Sequence, residues 1–140
     1  MEQFFDVIIE KLGGVDVLIS NAGSEGPAGL IENLEFSDWR DCLNVNLNGA
    51  FISCRWAASH MKKQKSGLIL LISSTSGLFG VPNRSPYVTA KWGLIGFMKT
   101  LAMELGPDGV RVNAICPGAI QGDRIERVLE MESAVTGLTV

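Results

Sequence analysis

A chain of 140 residues with 46% apolar side chains has the length of one domain and enough apolar surface to build a core. Its 12 basic and 15 acidic residues leave a net charge of −3, and no Lys/Arg cluster marks one face as a nucleic-acid surface. Three cysteines without a CxxC pair argue against a disulfide framework or a zinc site, and no apolar run approaches the roughly 20 residues of a membrane-spanning helix.

In chain order, Phe4-Phe5, Ile8-Ile9 and Leu12 follow helical spacing, and Gly13-Gly14 makes a helix stop. The acidic N-terminus has no long apolar core, so no signal peptide is read and the expected compartment is the cytoplasm. Val15 to Ile19 is a short, nearly continuous apolar run, the pattern of a strand buried on both faces. A Gly/Pro loop spans Ser24 to Gly29. Ser37 is the expected N-cap of a long helix over Asp38–Lys63, and Lys62-Lys63-Gln64-Lys65 reads as its solvated basic end. His60, near that end, has no evident partner. Leu68–Ser73 is a second strand, Gly77–Pro86 a loop, and Tyr87–Leu105 a helix stopped by Gly106-Pro107. Val110–Ile115 is a third strand, Cys116 reads as a small buried residue, and Gln121–Met131 is the last helix. Strands alternating with helices predict an α/β fold with a parallel sheet.

The chemistry-bearing residues fall mostly just after strand ends, the edge at which open α/β sheets bind ligands. Tyr87 and Lys91 are four residues apart and share one helix face. An ammonium beside a phenol favours phenolate, which suits a tyrosine to acid–base work. Ser74 stands thirteen residues before Tyr87, at the end of the run Leu68-Ile69-Leu70-Leu71-Ile72, where a hydroxyl can hold a carbonyl or alcohol oxygen. Taken alone, YxxxK is better read as an amphipathic helix with a buried tyrosine and a snorkelling lysine. The surrounding segments decide otherwise: Asn21-Ala22-Gly23 after the first strand, Asn44-Val45-Asn46-Leu47-Asn48-Gly49 inside a helix, Ile72-Ser73-Ser74, and Asn113-Ala114-Ile115-Cys116-Pro117-Gly118. Asparagine is a poor interior helix residue, because its side chain competes for backbone hydrogen bonds. In this order and spacing the set, from Asp16 to about Glu130, closely resembles the short-chain dehydrogenase/reductase family, classical type.

The resemblance implies a partial doubly wound, Rossmann-type parallel sheet with flanking helices over residues 1–140. It implies an NAD- or NADP-dependent oxidoreductase that passes hydride between a nicotinamide cofactor and an alcohol or ketone. Asn46, Ser74, Tyr87 and Lys91 match the family's catalytic positions, with Asn46 in a helix distortion that holds a water near the lysine. Asn21, Ala22, Gly23, Tyr87, Lys91, Pro117, Gly118 and Ile120 match its cofactor contacts. Gly122 stands where the family often has threonine and offers no hydroxyl. A homodimer or tetramer through helices 38–63 and 87–105 is the family expectation. No glycine-rich turn of the TGxxxGxG kind occurs before Asp16, so the chain reads as the catalytic middle of a dehydrogenase. Two other readings are a non-catalytic piece that only associates with related subunits, and an extended-type relative acting on nucleotide sugars. Asn21-Ala22-Gly23 and Ile72-Ser73-Ser74 favour the classical type over the latter.

Overall fold

The computed structural model describes residues 2–139. Helix α1 (Glu2–Leu12) leads into strand β1 (Val17–Ser20), and Gly13 at φ 76° ends the helix. Then come α2 (Phe36–Leu43), a π-helical turn (Asn44–Asn48) and α3 (Gly49–Gln64), which cross to β2 (Gly67–Ile72). A 3-10 turn (Thr75–Gly77) and α4 (Ser85–Leu105) cross to β3 (Val110–Ile115), and α5 (Asp123–Thr136) closes the order. All pairings are parallel, in the order β1-β2-β3, with Leu18 opposite Ile69 and Ile69 opposite Val112.

That register puts Leu18, Ile69 and Val112 on one face, where Ala50, Cys54, Ala57 and Met61 of α3 and Leu94 and Leu105 of α4 pack against the sheet. The opposite face is open: Val17, Ile19 and Ile115 are 52%, 58% and 49% exposed. The expectation that the first strand is buried on both faces is therefore corrected. Its continuous apolar run reflects two apolar faces, only one of which is covered by these elements. The strand also begins at Val17 rather than Val15. The backbone of Val15 is bonded by the Gln64 side chain instead, whose Nε2 donates to Val15 O at 3.2 Å.

Three further expectations change. The long helix starts at Phe36 with Glu35 as N-cap, so Ser37 does not cap it, and the π turn divides it. Lys62 and Lys65 are not simply solvated, because both pair with Asp108 in the turn after α4. His60 does have a partner: its Nδ1 lies 3.2 Å from Trp56 O and its ring 4.8 Å from the Trp56 ring. The indole in turn stacks on Phe5 of α1, which is how α1 docks on α3.

Candidate active site

Because the three strands are parallel, their C-terminal ends share one edge. A cavity of about 740 Å³ opens there. Asn21, Ser74, Tyr87, Lys91, Pro117, Gly118 and Ile120 stand in its wall; Asn46, Ala22 and Gly23 do not.

The adjacent serines at the end of β2 face different ways, as alternation along a strand requires. Ser73 is buried and its Oγ donates to Lys91 O at 2.9 Å, tying β2 to α4. Ser74 lines the cavity and its Oγ accepts from Ser76 N at 3.1 Å, which caps the 3-10 turn. Gly77 lets that turn lie against α4: a Cβ there would meet Ser73 Oγ at 2.5 Å and the Lys91 carbonyl oxygen at 2.8 Å. The Thr75 N–H donates to Pro117 O at 2.9 Å, so the ends of β2 and β3 form one rim. Cys116 on that rim is half-exposed, not buried, because it follows the last residue of β3 rather than lying in the sheet.

Helix α4 starts with Pro86 in its first turn, where a missing N–H costs nothing. Tyr87 and Lys91 then stand on successive turns. Lys91 is buried; its Nζ donates to Ile72 O at 2.9 Å and lies 5.5 Å from the centre of the Tyr87 ring. Burial, helped by the charge of Arg124 and opposed by Cys42, pulls the Lys91 ammonium down to about 8. Arg84, at the N-cap of α4, lies 5.2 Å from the same ring, so two cations border one phenol.

Asn46 sits in the π turn, 1% exposed. Its Nδ2 donates to Cys42 O at 2.9 Å and Ser24 Oγ at 3.2 Å, while its buried Oδ1 has no partner. The distortion expected around Asn46 is thus present as a π turn. A Cβ added to Gly23 would lie 2.7 Å from Asn46 Oδ1 and 3.6 Å from Lys91 Nζ, so only glycine fits here without displacing Asn46. Asn44 and Asn48 are exposed and bonded to each other, Nδ2 of Asn48 to Oδ1 of Asn44 at 2.7 Å.

Six charged cavity residues have no counterpart in the motif reading: Glu25, Arg84, Asp123, Arg124, Arg127 and Glu132. Arg127 pairs with Glu25 at 2.9 Å, and that hydrogen bond chiefly holds the Glu25 carboxyl below its ordinary value. Arg124 donates to Gly23 O at 3.5 Å. The spacing of Arg124 and Arg127 puts them on one face of α5, which was the available signal. Arg84, three residues before Tyr87, gave none.

Residues 1–133 match the family model described as short chain dehydrogenase. The chain belongs to that family. It is 38% identical over 128 residues to a 3-oxoacyl-[acyl-carrier-protein] reductase of Synechocystis sp., covering 91% of this chain and 51% of the relative. The crystal structure of an NAD+-bound xylitol dehydrogenase superposes with a TM-score of 0.93 at 32% identity, over 96% of this chain and 52% of that one. The structure of ElxO with NADP bound superposes with a TM-score of 0.86 at 31% identity, over 94% and 53%. The chain spans about half the length of the short-chain dehydrogenases it matches. Among the described residues no helix is long and apolar enough to cross a membrane.

Proposed function

We propose that this chain carries the catalytic centre of an NAD- or NADP-dependent oxidoreductase that moves hydride between a nicotinamide cofactor and the carbon of an alcohol or ketone. The observation that carries the reading is the meeting of Ser74, Tyr87 and Lys91 on one cavity at the strand ends. The polar and charged side chains of the cavity wall, Ser74, Tyr87, Lys91 and Arg124 among them, fit a polar ligand. The nicotinamide, when bound, supplies the hydride donor or acceptor.

The rest of the chemistry belongs to the chain. Tyr87 gives a proton to the forming alkoxide or takes one from the alcohol. Ser74 holds the same oxygen: its Oγ accepts from Ser76, so its own O–H is free to donate. Lys91 keeps a cation by the ring up to about pH 8. Asn46 supports it from behind Gly23. Asn21, Ala22 and Gly23 would hold the adenosine side of the cofactor and Lys91 its ribose. Pro117 and Gly118 would flank the nicotinamide, and the Ile120 backbone would take its carboxamide. We read the 140 residues as the catalytic portion of one dinucleotide-binding domain in a cytoplasmic protein. Pairing into a homo-oligomer would use α3 and α4, where Phe51, Trp92 and Met103 are exposed.

Tyr87→Phe removes one hydroxyl and leaves the packing. In the protein that carries this chain, turnover of a ketone panel with NADH or NADPH should fall by about 100-fold or more, the scale of a lost proton donor. Unchanged turnover sinks the assignment.

A further inference from the structure

Charge around the cavity is not balanced at each side chain. Arg84, Lys91, Arg124 and Arg127 stand in its wall with Glu25, Asp123 and Glu132. Glu25 is taken by Arg127 at 2.9 Å. The other three cations donate to neutral backbone carbonyls: Arg84 to Glu25 O at 2.7 Å, Lys91 to Ile72 O at 2.9 Å, and Arg124 to Gly23 O at 3.5 Å. Among the described residues none of the three forms an ion pair, with Asp123 and Glu132 or with any other carboxylate. The wall thus holds four cations against three carboxylates, and cations not paired directly to a carboxylate favour an anionic group between them.

A second observation points the same way. Arg84 is only 4% exposed, yet its buried Nη1 has no acceptor. A buried guanidinium N–H left unbonded is costly, and here it belongs to a side chain in the cavity wall. Arg124 is the exposed member of the set, and its single bond is a long one. A guanidinium so placed is free to turn its two-pronged donor edge to a carboxylate or phosphate.

We propose that Arg124, backed by Lys91 and Arg84, forms an anion subsite on the α5 side of the cavity for an oxyanion group, phosphate or carboxylate, of the ligand that fills it. The proposal rests on reading the cavity as a ligand site and deepens the dehydrogenase reading by naming a charge its ligand carries. A phosphate would belong to the dinucleotide and a carboxylate to the substrate.

The test is calorimetric titration of the protein that carries this chain with inorganic pyrophosphate, NADH, acetoacetate and methyl acetoacetate. Wild type should bind pyrophosphate or acetoacetate, and more weakly as salt rises. Arg124→Gln should weaken that binding by about tenfold or more, and Arg124→Lys should fall between Arg124→Gln and wild type, since it keeps the charge but loses the two-pronged edge. Parallel losses for pyrophosphate and NADH assign the phosphate. A loss for acetoacetate and not for its uncharged ester assigns the carboxylate. Failure of wild type to bind either anion, or equal binding by Arg124→Gln, overturns the proposal; Arg124 is exposed, so its variants should melt as wild type does. Unchanged turnover in Tyr87→Phe would sink the dehydrogenase reading and leave this subsite standing. Lost turnover there with unaltered anion binding in Arg124→Gln would sink the subsite alone.

Discussion

Lys91 carries the sharpest conflict in the chain, a charge on a side chain only 4% exposed. Its ammonium is pulled from about 10.5 in the unfolded chain to about 8 in the folded one. The folded state therefore binds fewer protons between pH 8 and 10.5, and stability rises with pH across that window. Below pH 8 the full cost of the buried cation is present, and above 10.5 it is gone. Lys91→Met should remove this slope and raise stability at pH 7 by about 1–3 kcal/mol, less what the lost bond to Ile72 O contributed. Urea unfolding at pH 7 and pH 10 measures both effects; a slope that survives the substitution would assign it elsewhere. The same variant should lose turnover, so here stability and function oppose each other. At this scale the sequence was most informative. Helical period places Tyr87 beside Lys91, and the family resemblance, not the strand pattern, singled out Ser74, which lines the cavity while Ser73 is buried. The partnerless oxygen of Asn46 and the unpaired cations of Arg84 and Arg124 were not legible, because they depend on which segments meet across tens of residues.

Elements place these residues, and two contacts do most of the placing. The π turn at Asn44–Asn48 was foreshadowed by three asparagines in five helical positions. Its extent was not, and the helix looked continuous because the apolar period runs through it. The second contact is the 3-10 turn on α4. Gly77→Ala would set a Cβ 2.8 Å from the Lys91 carbonyl, a backbone atom that cannot swing aside. The turn bearing Ser74 must then move off the helix bearing Tyr87 and Lys91. The expected result is a loss of about 1–3 kcal/mol, the range for overpacking, with turnover down by about tenfold or more because displacement at the reacting groups is costly. Thermal melts and steady-state kinetics on the same preparation check this. A variant that melts earlier but turns over normally would show that the turn does not set the site's geometry.

For the molecule as a whole, the α/β class, the parallel sheet and the gathering of Ser74, Tyr87 and Lys91 at a cavity by the strand ends were legible, because strand–helix alternation leaves few topologies. The open sheet face was not: apolar residues on both faces of β1 say that each can be covered, not which elements cover it. Half-exposed Val17, Ile19 and Ile115 mark that surface. The central claim is that hydride passes at the cavity where Ser74, Tyr87 and Lys91 meet. It is tested most directly by supplying the protein that carries this chain with NADH or NADPH deuterated at the transferable position, together with a panel of ketones. The account predicts an alcohol product with deuterium on the carbinol carbon, formed by wild type and nearly abolished in Tyr87→Phe. Ketone reduction without label at that carbon, or labelled product formed equally by Tyr87→Phe, would contradict it.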